Sequence, residues 1–489
     1  MNLSREITAK LPDWFNPVLV KELRQTLHSK AFWVTSLIIA AIEAAVWLHV
    51  RNIPSFNVGK MVLTMQLVLS WLWLVGTVCI LQPAISRWAE ERHLDAIAPE
   101  RTTSLSAWQI LSGKLGCYAL VILWTALLVA PLIAYLLVRI NSALDTADEI
   151  VPQVNTCGVL CGALLSFVMV LNLNIWAVLT AMTVRIRRNA TGGVGFFGWL
   201  VVVVGTMHVM SYGSAAAILF TEHQVTFGII LFFLIAVLIY GMLLAISQLK
   251  PEQSNRMFPA RLGGWVLLTV AGTVLWILYK KEWIGQLEAL IGILSWMSLY
   301  ISFQSFLAAM EPLEMPKRMY LDAPKNLLAK AFWFSCGTGA VCAWVHLLIP
   351  FAVLNVLFFC KCGGEEAGVF LMIALGFNCY AIIYGAVTAL LRIACPKLNG
   401  GVIYITIAIA AVVFDLLVSI KNPEIAYASP GHYLLRQLME VMQNNDPDSS
   451  SIYTLVTGVV KPIISVAWCM ICLMLLATGY AAQKKSGKQ

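Results

Sequence analysis

Long apolar stretches recur along the chain and are separated by short segments that hold most of the polar and charged residues. Each stretch is apolar on all sides and close to the roughly 20 residues that an α-helix needs to cross a bilayer. The pattern therefore predicts an all-α, polytopic integral membrane protein with about twelve transmembrane helices. The predicted spans are 31–50, 61–83, 115–138, 157–184, 191–211, 225–248, 262–279, 285–309, 331–358, 369–391, 402–419 and 456–481.

Composition supports this prediction. Hydrophobic residues make up 60% of the 489 residues and charged residues only 12%, against about 25% charged residues in a soluble domain. The first 30 residues are mixed and charged, and the first apolar stretch has full membrane length. We therefore expect no cleavable signal peptide and expect this stretch to stay in the mature protein as a helix.

The positions of lysine and arginine predict the orientation of the spans. With the N-terminus placed inside, 24 of the 33 Lys and Arg residues fall in predicted cytoplasmic segments. Cytoplasmic loops of membrane proteins are enriched in these residues. The bias predicts a protein integral to the plasma (inner) membrane, with its N- and C-termini in the cytoplasm.

The spans divide into two six-helix halves, 31–250 and 260–482, preceded by residues 1–30 and followed by a cytoplasmic tail, 483–489. In each half, a cytoplasmic segment joins the second and third spans and shows a similar order of residues. The matched residues are Arg92, Leu94-Asp95-Ala96, Pro99 and Lys114 in the first half and Arg318, Leu321-Asp322-Ala323, Pro324 and Lys330 in the second. This similarity suggests an internal duplication, which is common in transporters.

Residues 16–30 predict an amphipathic helix just before the first span. Asn16 suits the N-cap and Pro17 the first helical position. Leucine and valine then lie on one side at helical spacing, and polar and charged residues lie on the other. A basic amphipathic helix in this position should lie in the headgroup plane of the bilayer.

Two short segments resemble the permease subunits of type-2 ABC transporters. Residues 16–24, NPVLVKELR, are similar to the N-P-V/I-L-x-K-E-L-R opening of that family. Glu91-Arg92, Pro99 and Gly113-Lys114 are similar to its E-R…P…G-K pattern between the second and third spans. The resemblance extends over residues 16–250, whereas 260–489 share only the architecture.

The resemblance implies roles for both segments. It implies an elbow helix that includes Asn16, Pro17, Lys21, Glu22 and Arg24. It also implies a coupling helix within 88–112 that docks on a separate ATP-hydrolysing subunit. The contact candidates are Glu91, Arg92, Asp95, Glu100 and Arg101, with Glu311, Arg318 and Asp322 in the second half. His93-Leu94-Asp95-Ala96 replaces the usual Gly-Thr-Leu followed by further leucines, so the docking face itself is not specified.

The chain lacks the motifs of a motor or an enzyme. It contains no G-x-x-x-x-G-K-[ST] phosphate loop, so ATP hydrolysis is expected on a separate ABC ATPase subunit. No zinc pattern or nucleophile elbow occurs, and we predict no catalytic residues, metal or cofactor. Tryptophans near span ends indicate an interfacial belt rather than a nucleic-acid surface. Because the family commonly works as paired six-span units, a second copy or a related permease is a further potential partner.

Polar residues inside spans are candidates for function because their burial in lipid is costly. Glu43 and Asp415 are the two acidic candidates, for a role in the conduit or in coupling. Asn172, Asn174, His208 and His346 are more simply explained by hydrogen bonds between helices. Three alternatives to the ABC permease stay open: an ion-coupled secondary transporter using Glu43 and Asp415, a membrane-embedded enzyme acting on a lipid-linked substrate, and an assembly scaffold.

Overall fold

The computed structural model describes residues 16–52, 106–145, 224–250, 254–311, 321–359 and 364–395, together with isolated positions in 161–179 and 400–410. All regular structure in these residues is α-helical. The chain divides into two compact units, Met1–Leu249 and Lys250–Gln489. Each unit is described by itself.

Nine continuous helices are defined in this part of the chain. The first unit contains α1 (Pro17–Leu27), α2 (Lys30–Arg51), α3 (Ala107–Asp145) and α4 (Gln224–Leu249). The second unit contains α5 (Phe258–Lys280), α6 (Gln286–Met310), α7 (Leu327–Ser335), α8 (Ala340–Phe359) and α9 (Gly364–Ala394).

Six of these helices are long and apolar enough to cross a membrane: α2, α3, α4, α5, α6 and α9. They coincide with the predicted spans 31–50, 115–138, 225–248, 262–279, 285–309 and 369–391, and they indicate a membrane-embedded protein. The predicted spans 61–83, 191–211 and 456–481 lie outside the described residues. Those at 157–184 and 402–419 are described only at scattered positions.

In the first unit, α2 and α3 run parallel. Trp124 Nε1 donates a hydrogen bond to Ser36 Oγ at 3.3 Å near the start of α2. Near its end, Arg139 Nη1 donates to the Val50 carbonyl at 2.7 Å.

The same relationship holds between α4 and the helical residues of 161–179. Leu165 packs with Phe227 in one small apolar cluster. Further along both segments, Asn172 Nδ2 donates to the Leu234 carbonyl at 2.9 Å. Both contacts advance in the same chain direction, so these segments are also parallel.

In the second unit, the largest apolar core lies between α6, α8 and α9. Two serines of α6 that are seven residues apart, Ser298 and Ser305, mark its parallel contact with α9. Asn378 Nδ2 donates to Ser298 Oγ at 2.9 Å, and Ser305 Oγ donates to the Ala381 carbonyl at 2.7 Å. Gly385 lies so close to Ser305 that an added Cβ would be 2.2 Å from the hydroxyl oxygen. Small and polar residues of this kind typify close helix packing in membranes.

The structure differs from the predicted span 331–358, which is divided into α7 and α8 by the turn 336–339. Gly339 has a φ of 122°, a conformation that residues with a Cβ rarely adopt. Thr338 joins the turn to the start of α5, because its N–H donates to Asn255 Oδ1 at 3.0 Å and its Oγ1 accepts from the Met257 N–H at 3.0 Å. Apolarity continues across the break, which is why the sequence pattern did not reveal it. The prolines Pro131 and Pro350 lie inside α3 and α8.

Candidate coupling site

The N-terminal helix α1 is capped and attached to α3 by the same side chain. Asn16 Oδ1 accepts a hydrogen bond from the Val18 N–H at 3.0 Å, and Pro17 occupies the first turn, as the sequence predicts. The Asn16 amide also donates to the Gln109 carbonyl at 2.6 Å and to Ser112 Oγ at 3.1 Å. Asn16 therefore fixes where α1 begins and where that beginning lies on α3.

Two glycines of α3 allow α1 to approach closely. A Cβ added to Gly113 would lie 2.7 Å from Val18 Cβ and 2.8 Å from the Leu19 backbone nitrogen. A Cβ added to Gly116 would lie 3.3 Å from Leu19 Cδ1. The contact at Gly113 includes backbone, which cannot move aside as a flexible side chain can. Glycine at this position is therefore a steric requirement of the α1–α3 contact.

An ion pair is buried in the same contact. Lys114 Nζ lies 3.4 Å from Glu22 Oε1, and the two side chains are 3% and 5% exposed. The sequence pattern groups Glu22 with Lys21 and Arg24 on the polar side of α1. In the structure Lys21 is exposed and Arg24 is half-buried, whereas Glu22 turns toward α3. Removing either charge would leave the other buried without its partner, which is strongly destabilising.

Residues 16–24 and the end of the second resembling segment, Gly113-Lys114, are therefore joined in space. Residues 16–24 contact Gln109, Ser112, Gly113 and Lys114 through hydrogen bonds, close packing and the ion pair. A further contact continues along the helices, where Thr26 Oγ1 lies 3.6 Å from Cys117 Sγ. With polar and steric contacts along its length, α1 packs closely on the first turns of α3.

Most of the predicted docking residues lie outside the described part of the chain. This is the case for Glu91, Arg92, Asp95, Glu100, Arg101, Arg318 and the intramembrane candidate Asp415. Of the two remaining docking candidates, Asp322 is exposed and Glu311 is buried, with 4% exposure.

Glu311 belongs to an ionic network at one end of the second unit. Its carboxylate accepts hydrogen bonds from the Arg261 guanidinium and, at 2.7 Å, from the Gly339 N–H. Arg261 also donates to the Gly337 carbonyl, so its side chain joins Glu311 to the α7–α8 turn. Burial raises the pKa of the Glu311 carboxyl, while Arg261 and the Gly339 N–H oppose this rise by favouring the charged form.

The network also includes the end of α9. Arg392 Nη1 donates to the Ala309 carbonyl at 2.6 Å and to the Glu311 carbonyl at 2.8 Å. The start of α5, the end of α6, the α7–α8 turn and the end of α9 therefore meet in one place. The sequence did not reveal the role of Arg261, because a lone arginine near a predicted span start is ordinary. Its partner, 50 residues away, has no local spacing that could identify it.

The polar residues inside spans fall into two groups. His346 is held between helices, with Tyr300 Oη 2.5 Å from its Nε2 and Trp265 Nε1 donating to its Nδ1 at 3.4 Å. Asn172 donates to the Leu234 carbonyl of α4, which is a hydrogen bond between helices as expected for it and for His346. Asn174 instead donates to the Val170 carbonyl of its own segment, so its bond within the described residues is not between helices. Glu43 differs, because its Oε1 is buried and makes no hydrogen bond within the described residues.

Glu43 lies beside α3 at the level of its internal proline. Ser36 contacts Trp124 and Trp47 contacts Tyr135, so residues of α2 pair with residues of α3 that are 88 positions later in the chain. The same register places Glu43 at the level of Pro131. A carboxyl group at this depth is costly unless it is protonated or meets a polar partner.

The chemistry of these sites is that of structural ionic contacts. No group of three His, Cys, Asp or Glu side chains in the described residues could hold a metal ion. Among the described residues, the arrangement joins helix ends and leaves the Glu43 carboxyl inside a span. Comparison of the chain with models of known protein families, with curated proteins and with solved structures finds no match.

Proposed function

We propose that the chain is the membrane-spanning permease subunit of an ABC transporter, an exporter driven by a separate ATPase subunit that docks on cytoplasmic loops. The observation that carries this proposal is the contact of α1 with the start of α3. Both segments resemble type-2 ABC permeases in sequence. They contact each other through Asn16, Gly113 and the Glu22–Lys114 ion pair, which suggests that they act together.

A rigid contact in this position suits mechanical coupling. The proposed coupling segment, 88–112, runs into the first turns of α3, which begins at Ala107. A force applied to that segment would therefore act on α3 and, through the buried ion pair, on α1. Because α1 is followed by α2 after only His28 and Ser29, the force would also reach the first span.

The second unit offers a comparable connection. Residues 311–330 would form the second docking segment, and Glu311 lies at its first position. Glu311 is bound to Arg261 and to the α7–α8 turn, and Arg392 binds its backbone carbonyl. In this proposal Glu311 anchors the segment rather than contacting the ATPase. Asp322, which is exposed, is the better contact candidate.

The proposal is tested by isolating the chain with its partners. The tagged full-length protein is purified in mild detergent from the membranes in which it naturally occurs, and co-purifying proteins are identified by mass spectrometry. We expect a protein with a G-x-x-x-x-G-K-[ST] loop and an ATPase activity that is lost when the lysine of that loop is replaced. A chain that purifies without such a protein and without ATPase activity would refute the proposal.

The Glu43 Oε1 atom, which is buried and makes no hydrogen bond to the described residues, favours one alternative, an ion-coupled secondary transporter. Such a carrier would protonate and deprotonate a carboxyl group within a span. It predicts transport that collapses with the ion gradient, is independent of ATP, and is abolished by Glu43→Gln. In the ABC proposal, transport requires ATP and continues when the ion gradient is collapsed.

A further inference from the structure

Helix α7 has an unusual surface for a helix at the end of a bundle. None of its nine residues is buried. Leu327 and Leu328 are 81% and 80% exposed, and Leu321 just before the helix is 82% exposed. Adjacent apolar side chains with this degree of exposure are expected to contact another molecule that shields them from water.

The contacts of α7 show its level relative to the ends of the spans. Its aromatic residues Phe332 and Trp333 pack on Phe258, the first residue of α5, with ring centroids 6.3 Å and 4.8 Å apart. The following turn is bound to Arg261 and Glu311, at the ends of α5 and α6. Helix α7 is therefore level with the ends of the spans. A group of aromatic rings at this level is typical of the membrane–water boundary.

The next helix, α8, also has an exposed apolar face. Exposed apolar side chains continue along α8 on Val341, Val345, Leu348, Ile349, Val353 and Val356. That face belongs to a helix that runs away from α7 into the bundle, where acyl chains are the expected neighbours. The leucines of α7 thus come shortly before a helix whose exposed face is suited to lipid.

The charges on this surface are basic. Lys325 and Lys330 are exposed, and α7 contains no acidic residue. The nearest acid in the described sequence is Asp322, which is exposed before the helix begins. Lysines at this depth extend their ammonium groups to the headgroup layer, where anionic lipids attract them.

We propose that α7 lies in the interfacial layer of the membrane and binds anionic phospholipid, with its leucines in the acyl region and Lys325 and Lys330 at the phosphate groups. The occupant of this surface is therefore lipid and not a soluble protein partner. This proposal requires a membrane but does not rest on the ABC transport function. It assigns the apolar part of the second connecting segment to the bilayer and leaves only residues before α7 for an ATPase.

The molecule that contacts the exposed leucines of α7 is identified by photo-crosslinking in intact membranes. The photoreactive residue p-benzoylphenylalanine replaces Leu328, with Leu348 on the exposed face of α8 as the lipid-facing control and the buried Leu347 as the protein-facing control. We expect Leu328 and Leu348 to give lipid adducts by mass spectrometry, and Leu347 to give crosslinks within the chain. A crosslink from position 328 to another protein, or the absence of a lipid adduct there when position 348 gives one, would overturn the proposal.

The headgroup is tested with a charge-neutral variant. Lys325→Gln/Lys330→Gln is compared with Lys280→Gln/Lys281→Gln, which removes two exposed lysines at the opposite end of α5. The full-length protein is placed in nanodiscs containing phosphatidylcholine and phosphatidylglycerol, and retained lipid is measured by native mass spectrometry. Lipid bound at α7 is identified from the photo-adducts formed at position 328. We expect only the first variant to lose its preference for phosphatidylglycerol in these adducts. An unchanged preference in the first variant, or an equal loss in both, would refute the role of these lysines.

Discussion

Lys114 of α3 and Glu22 of α1 form an ion pair with 3.4 Å between Nζ and Oε1, and both side chains are almost completely buried. The pair lies one residue beyond Gly113, where the backbone of α1 comes close to α3. The ion pair and the close packing at Gly113 therefore belong to the same contact between α1 and α3. Each can be changed without the other, so their contributions are separable.

The ion pair predicts a non-additive effect of substitution. Glu22→Gln and Lys114→Met should each lower the stability by about 3–5 kcal/mol, because each leaves one buried charge unpaired. Glu22→Gln/Lys114→Met should be less destabilising than the sum of its single changes. The measurement is a double-mutant cycle on unfolding of the protein in detergent micelles. Strict additivity would mean that the two charges do not interact.

The close approach at Gly113 predicts a steric effect. Gly113→Ala should destabilise the protein by about 1–3 kcal/mol, because the added methyl group meets Val18 and the backbone of α1. Gly228→Ala in α4 is the matched control, since no atom lies within 4 Å of its Cβ position. That control should be neutral or stabilising, as alanine favours a helix by about 0.5–1 kcal/mol. Equal midpoints of thermal unfolding for the two variants would contradict the packing of α1 on α3.

The network in the second unit predicts that Glu311 is an anchor. Glu311→Gln should lower the stability by about 3–5 kcal/mol, because Arg261 is buried and loses its counter-charge. Glu282→Gln, at an exposed position after α5, should change it by less than about 0.5 kcal/mol. Both variants are compared by thermal unfolding in detergent. A small effect at Glu311 would mean that its carboxylate faces solvent and remains accessible to a partner.

The turn between α7 and α8 predicts a backbone effect. Gly339→Ala should cost about 1–3 kcal/mol, because a φ of 122° is strained for any residue with a Cβ. Gly272→Ala in α5, which has open space and ordinary helical geometry, is the control. If both glycines tolerate alanine equally, then α7 and α8 form one continuous helix, as the apolar pattern alone suggests.

The sequence predicted the helices better than their breaks and contacts. Length and apolarity were sufficient for α2, α4, α5, α6 and α9, because a helix in lipid must satisfy its own backbone and has no alternative structure. The cap by Asn16 was also predictable, since it depends on local bonds alone. The turn 336–339 was not, because its stability comes from Asn255, Arg261 and Glu311, which are distant in sequence.

The candidate site shows the same division. The sequence identified residues 16–24 and 113–114 separately, by resemblance, but gave no reason for them to be close. Glu22 was predicted on the polar side of α1 because glutamate is usually solvated. Its burial depends on Lys114, 92 residues later in the chain. Pairing between distant charges has no periodicity, so only the tertiary structure reveals it.

The central claim, that a motor subunit docks on the segment before α3, is tested most directly by photo-crosslinking at that segment. Arg92 and Asp95 are replaced one at a time by p-benzoylphenylalanine in the full-length protein, and native membranes are irradiated. Our account predicts a crosslink from at least one position to a protein with a phosphate loop, and its loss or reduction in Gly113→Ala. Crosslinks only to lipid or to the chain itself, with ATP-independent transport in the same membranes, would contradict it.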